Sequence, residues 1–214
     1  RTCVKDGEDD HGWRRSYNTS FTHERHTIMS QEIVELFKIN IYSCDLKINL
    51  KQLKNKILDE RKKDPKGRLV SNQGGWQSDF LNNIGELKNK IEDHALKYLN
   101  VLGLSKPNKI NACWANINGY KDTNMWHTHS KCAIAGVFYV DANEKSGNIK
   151  FYHPYYNDIY NQWIDDVKTF NPMNDVITEI EPKSGLLILF PSFLPHSVNP
   201  NLNNKERISI SFNI

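Results

Sequence analysis

Two histidines one residue apart, in Trp126-His127-Thr128-His129, are the strongest local signal for chemistry in the chain. On an extended segment, side chains at i and i+2 leave the same side, so both imidazoles can reach one metal ion. With eight histidines among 214 residues such spacing also arises by chance, and the pair means little alone. His196 supplies a third candidate ligand at the end of Gly185-Leu-Leu-Ile-Leu-Phe-Pro-Ser-Phe-Leu-Pro-His196, an apolar strand and a turn stiffened by two prolines. Three histidines on one face of an ion leave its opposite positions open to exchangeable ligands. Eleven positions beyond His196 begins Arg207-Ile208-Ser209, with Arg207 and Ser209 on one face of the next expected strand. Turned into a barrel, that guanidinium needs an anionic partner, and a planar carboxylate meets its fork in bidentate fashion.

These residues must be positioned by a sheet, and the C-terminal half supplies the pattern for one. Short β-like runs separated by turns cover 110–117, 133–140, 149–152, 176–180, 186–190 and 208–212. Upstream, 33–42 reads as a further strand with a bulge. Leu50, Leu53, Ile57 and Leu58 recur at helical spacing before Asp64-Pro65-Lys66-Gly67, which predicts a helix over about 49–63. Leu81, Ile84, Leu87, Ile91, Ala95 and Leu99 predict a second over about 79–100, its apolar stripe against the sheet. The Tyr-, Asn- and Asp-rich stretch 154–175 reads as an insertion of the kind that serves as a lid or binding loop. The expected class is mainly β with flanking helices (α+β). Residues 1–28 are polar and aperiodic, so they read as a flank, native or added, that carries no functional inference. A single domain is expected over 29–214.

Composition excludes several classes. The 28 basic residues nearly balance 25 acidic ones, so no nucleic-acid surface is expected. No apolar run approaches the ~20 residues of a membrane-spanning helix, so no membrane role is expected. Cys3, Cys44, Cys113 and Cys132 are widely spaced and form no Cys-x-x-Cys pair, which points to a reducing cytoplasm. An exposed edge strand would allow two copies to pair as a homodimer.

The ordered set His127-x-His129, the Gly-Leu-Leu-Ile-Leu-Phe-Pro-Ser context before His196, and Arg207-x-Ser209 leading to Phe212-Asn213 resembles the 2-oxoglutarate and Fe(II)-dependent oxygenase family of bacteria and phages. Ala135-Gly-Val-Phe-Tyr-Val140 and Ser71-Asn-Gln-Gly-Gly-Trp-Gln-Ser78 are similar to its segments too, so the likeness spans about 33–214. The resemblance implies a double-stranded β-helix (jelly-roll) barrel with helices on one outer face. It implies Fe(II) on His127, His129 and His196, and 2-oxoglutarate held by Arg207 with Ser209. Tyr139 and either Asn116 or Asn118 are further candidates for the co-substrate's carboxylates, and dioxygen would complete the set. The product would be a hydroxylated substrate, a small molecule or peptide of unknown identity, with succinate and carbon dioxide. The wider superfamily usually carries an acid where His129 stands, and Asp122 is the acid that could approach the metal instead.

Two other readings stay open. Cupin-type and three-histidine dioxygenases share the metal pattern and need no 2-oxoglutarate, but cupins usually add a Glu after the pair, where Ser130-Lys131-Cys132-Ala133 stands here. A non-catalytic β-helix module binding Zn²⁺ would leave Arg207 dispensable.

Overall fold

A computed structural model describes residues 36–105 and 108–214. The chain divides into two units, Arg1–Lys38 and Ile39–Ile214, and the second is described here. The expected flank 1–28 and its boundary at Met29 lie outside the described residues.

The second unit opens with strand β1 (Tyr42–Asp45), helix α1 (Leu50–Lys63), two short strands β2 (Asn72–Gln73) and β3 (Trp76–Gln77), and helix α2 (Glu86–Val101). Then follow β4 (Ala112–Asn118), β5 (Thr123–His127), β6 (Ile134–Asp141), β7 (Ile149–Tyr152), helix α3 (Tyr156–Trp163), β8 (Ile177–Ile180), β9 (Leu186–Pro191), β10 (His196–Val198) and β11 (Arg207–Asn213). The strands form two sheets, ordered β1-β9-β6-β11-β4-β3 and β2-β5-β10-β7-β8, and every pairing is antiparallel. This is the jelly-roll arrangement expected, with the two sheets open at their edges.

Alternation along the strands of the larger sheet explains both its faces. On β11, Ile208, Ile210 and Phe212 join the core shared with Leu53 and Ile57 of α1 and Leu87, Ile91, Ala95 and Leu99 of α2. The intervening Arg207, Ser209 and Ser211 line a cavity between the sheets. β4 repeats the rule, with Cys113, Ala115 and Ile117 toward the helices and Trp114 and Asn116 toward the cavity. A slip of one residue would bury the arginine among leucines and turn the isoleucines inward, so register is strongly specified.

The helix expected at 49–63 is α1, started by Asn49, whose side chain accepts the Gln52 N–H at 3.0 Å. The helix expected at 79–100 starts late, at Glu86. Gly85 at φ +62° breaks the helical path, and the Leu81 N–H donates to the Cys113 carbonyl at 2.7 Å, drawing that stretch along β4. Of the strand expected over 33–42, residues 33–35 lie outside the described residues, and the described part becomes strand only at Tyr42, where β1 begins. Phe37 sits at φ 54°, which no strand residue adopts.

Gly136 marks a close approach within the sheet. A Cβ there would stand 2.4 Å from the Phe212 ring and 2.9 Å from the Ile188 carbonyl. Gly136→Ala is expected to destabilise the fold by about 1–3 kcal/mol, a drop of several degrees in melting temperature. Unchanged thermal unfolding would show that β6 and β11 can yield.

Candidate metal and co-substrate site

The histidines meet because β10 pairs with β5, His196 standing opposite His127 in the register. Their ring centroids lie 4.2 Å apart. His129 follows the end of β5 and is held there by its N–H, which donates to the Ser192 carbonyl at 2.9 Å. One nitrogen from each of the three rings lies within 4.8 Å of the others. His129 Nε2 and His196 Nε2 are 3.3 Å apart, close enough for both to be offered to one ion.

Backbone carbonyls set the tautomers. His127 Nδ1 faces the Met125 carbonyl at 2.7 Å, and His196 Nδ1 faces the Leu194 carbonyl at 2.9 Å. A carbonyl only accepts, so each Nδ1 carries the proton and each Nε2 offers its lone pair. Burial, and then the neighbouring His127, push His196 down to about 3 and His129 to about 4. Burial also lowers His127, against the Met125 carbonyl. All three are therefore neutral at pH 7, the form that binds metal. Trp114 stacks on His129 with centroids 6.0 Å apart. The donor set suits Fe(II), which accepts imidazole nitrogens on one face.

A sign follows for stability. His196 binds fewer protons folded than unfolded at any pH between its ordinary 6.5 and about 3, so acid favours the unfolded chain in that window. The metal-free protein is expected to lose about 1.4 kcal/mol per pH unit through His196 as pH falls below about 6.5. Thermal melts from pH 7 to 4 check this, with a shallower slope for His196→Asn. Equal slopes would contradict it.

Arg207 is 2% exposed and lies in the body of the larger sheet, not at an edge. Among the described residues its guanidinium makes two hydrogen bonds, both from Nη1, to the Ser146 and Gly147 carbonyls at 2.9 Å. It makes no ion pair with a described carboxylate, and its buried Nε has no partner. Burial lowers its pKa, while Tyr139 and Asp122 oppose that; a guanidinium stays charged regardless. An uncompensated buried charge is costly, so the arrangement fits a site built to receive an anion.

Arg207, Ser209, Tyr139 and Asn116 line one cavity with the three histidines. Tyr139 is held protonated near pKa 12 by burial, against the pull of Arg207. Asn116 Nδ2 donates to Ser211 Oγ at 3.1 Å, and its Oδ1 is buried without a partner. Asp122, the acidic alternative to His129 as a ligand, is occupied elsewhere. Its carboxylate accepts the Gly119 N–H at 2.7 Å and abuts Gly74 and Gly75.

Ser71, Asn124 and the Ser146-Gly147 carbonyls were not legible as site groups. Of the aromatic residues in this half of the chain, Trp114 lines the cavity, whereas Tyr120, Trp126, Tyr155, Tyr156 and Trp163 do not. No residue of 154–175 lines it either. That stretch carries α3, none of whose residues is buried; Tyr156 stacks on Tyr160 and meets Tyr152 of β7 edge to face.

No helix among the described residues is long and apolar enough to cross a membrane. No curated protein matches the chain in sequence. Among solved structures it is similar to a prolyl-4-hydroxylase from Pseudomonas putida, at TM-score 0.54 and 13% identity over 82% of this chain and 92% of that one. It is likewise similar to the α-ketoglutarate-dependent carbocyclase SnoK of nogalamycin biosynthesis (TM-score 0.54, 8% identity, 81% and 78% covered). A Trichoplax adhaerens prolyl hydroxylase, solved with a hypoxia-inducible-factor peptide, gives TM-score 0.50 and 13% identity, with 81% and 83% covered. At these identities the likeness is one of fold. The family described as "Putative 2OG-Fe(II) oxygenase" matches residues 112–213, the segment holding all three histidines and Arg207. Through that segment the chain is similar to the 2-oxoglutarate and Fe(II)-dependent oxygenases.

Proposed function

We propose that the chain binds Fe(II) through His127, His129 and His196 and hydroxylates a C–H bond of a peptide or small molecule at the expense of 2-oxoglutarate and dioxygen. Arg207, assisted by Ser209, receives the distal carboxylate of 2-oxoglutarate. Tyr139 donates its phenol to the same carboxylate, and the Asn116 amide meets the end nearer the metal. The supporting observation is the buried guanidinium, lacking a described ion-pair partner, in the same cavity as three converging neutral imidazoles. A Zn²⁺ module would have no use for it. When bound, iron with 2-oxoglutarate and dioxygen supplies the oxidising power, releasing succinate and carbon dioxide.

The chain's own part is to hold, orient and exclude water. The apolar wall of Val137, Ile149 and Phe190 keeps the cavity dry beside the polar wall. Exposed Met125, Trp126 and Phe193 stand one to three residues from His127 and His196, which suits a substrate with an apolar side. Cys44, Cys113 and Cys132 are free thiols, which suits a reducing, cytoplasmic setting. The domain we assign to this function runs from 29 to 214, and pairing of two copies through an edge strand is compatible with it. Oxygen uptake by Fe(II)-loaded protein tests the function: addition of 2-oxoglutarate should start it, and addition of a thiol alone should not. The reverse pattern would favour a three-histidine thiol dioxygenase.

A further inference from the structure

Arg207 can serve a carboxylate only if its fork is aimed, and the aim comes from outside its own strand. β6 and β7 are joined by a turn in which the Ser146 N–H donates to the Asn143 carbonyl at 3.1 Å and the Asn143 N–H to Ser146 Oγ at 3.3 Å. Lys145 at φ 60° and Gly147 at φ 97° bend the chain so that two successive carbonyls, Ser146 and Gly147, both reach Nη1. The turn is tied in its place by the segment between β10 and β11. The Leu202 N–H donates to the Lys145 carbonyl at 2.8 Å, the Asn199 N–H to the Asn148 carbonyl at 2.9 Å, and Asn203 Nδ2 to the Glu144 carbonyl at 2.9 Å.

Nη1 has two hydrogens, and the two carbonyls occupy both. Nε is left buried without an acceptor. The Nε–Nη2 edge is the one that remains, with two parallel in-plane donors matching the two oxygens of a carboxylate. Gly147 is required for this. A Cβ there would lie 2.8 Å from Arg207 Nη1 and 2.2 Å from the Asn199 carbonyl, in a backbone conformation that L side chains rarely adopt.

We propose that the turn 143–147 is the positioning element for the co-substrate's distal carboxylate: its two carbonyls occupy Nη1 so that Arg207 presents its Nε–Nη2 edge, and Gly147 is the residue that permits it. The inference rests on the co-substrate reading given above. It makes Gly147 a positioning residue, acting only through Arg207.

Calorimetric titration of 2-oxoglutarate into the Mn(II)-loaded protein tests this without turnover. Gly147→Ala should weaken 2-oxoglutarate binding about 10-fold or more, the order expected when a charge-assisted contact is lost, with Mn(II) affinity within about twofold of wild type. In an Arg207→Lys background, where no Nη1 exists to be displaced, the same substitution should change affinity by less than about twofold. An equal penalty in both backgrounds would overturn the proposal, since the effect would then not pass through the guanidinium. If Gly147→Ala binds no Mn(II) and is unfolded, Asn203→Ala decides. It frees the turn from one tie and should weaken 2-oxoglutarate binding about threefold with Arg207 and not with lysine, and an unchanged affinity would overturn the proposal. Wild-type protein that binds no 2-oxoglutarate would refute the co-substrate reading itself, whereas wild-type binding with an unaffected Gly147→Ala refutes only the role of the turn.

Discussion

His196→Ala is expected to leave the protein folded but unable to retain iron. His196 is the most buried of the three histidines, at 3% exposure, and it is the one through which β10 is registered on both β5 and β7. Its ring lies 4.2 Å from that of His127 and 5.1 Å from that of His129, so removing it leaves two ligands that no longer enclose a face. Loss of an outer-shell partner alone weakens a metal by roughly 10–100-fold, and loss of a ligand should exceed that. Fe(II) content after desalting, measured beside a thermal melt at pH 7.5, separates metal loss from unfolding. A folded variant with full iron occupancy would remove His196 from the ligand set.

Arg207→Ala should act on the other end of the cavity. Its iron content should match wild type, while the KM for 2-oxoglutarate rises steeply. Truncating one partner of a buried, hydrogen-bonded charge pair costs ~2–5 kcal/mol, which is ~30-fold or more in affinity. The lost contact exists in the ground-state complex, so KM should move more than kcat. Equal loss of iron would mean that Arg207 supports the histidines and not a co-substrate. Initial rates of 2-oxoglutarate consumption over a wide concentration range, with metal content determined on the same samples, make that distinction.

What could be seen in advance follows periodicity. The alternation Arg207-Ile-Ser-Ile-Ser-Phe-Asn213 predicts its own two faces, and the structure sends Ile208, Ile210 and Phe212 to the helices and Arg207, Ser209 and Ser211 to the cavity. Helix α1 is equally plain, because Leu53 and Ile57 repeat at one turn and Asn49 caps them. Strands β2, β3 and β10 have two or three residues each, too short for any period to show, yet β10 is what carries His196. Helix α3 does carry a stripe, Tyr156, Ile159, Tyr160 and Trp163 at helical spacing, but it is only eight residues long, set among Asn and Asp, and buries none of them, so it reads as part of an insertion. The clamp on Arg207 was illegible for a different reason: it is made by the carbonyls of Ser146 and Gly147, and a backbone carbonyl leaves no mark on residue type. Only the glycine hints at it, through a φ of +97° that becomes visible once the chain is folded.

Succinate is the most direct readout of the centre formed by His127, His129, His196 and Arg207. Protein loaded anaerobically with Fe(II), given 2-oxoglutarate and then exposed to air, should release succinate above the protein-free blank, and should lose that release when iron is withheld or chelated. Full iron loading with no succinate above blank, in protein that remains folded, would contradict the oxygenase reading.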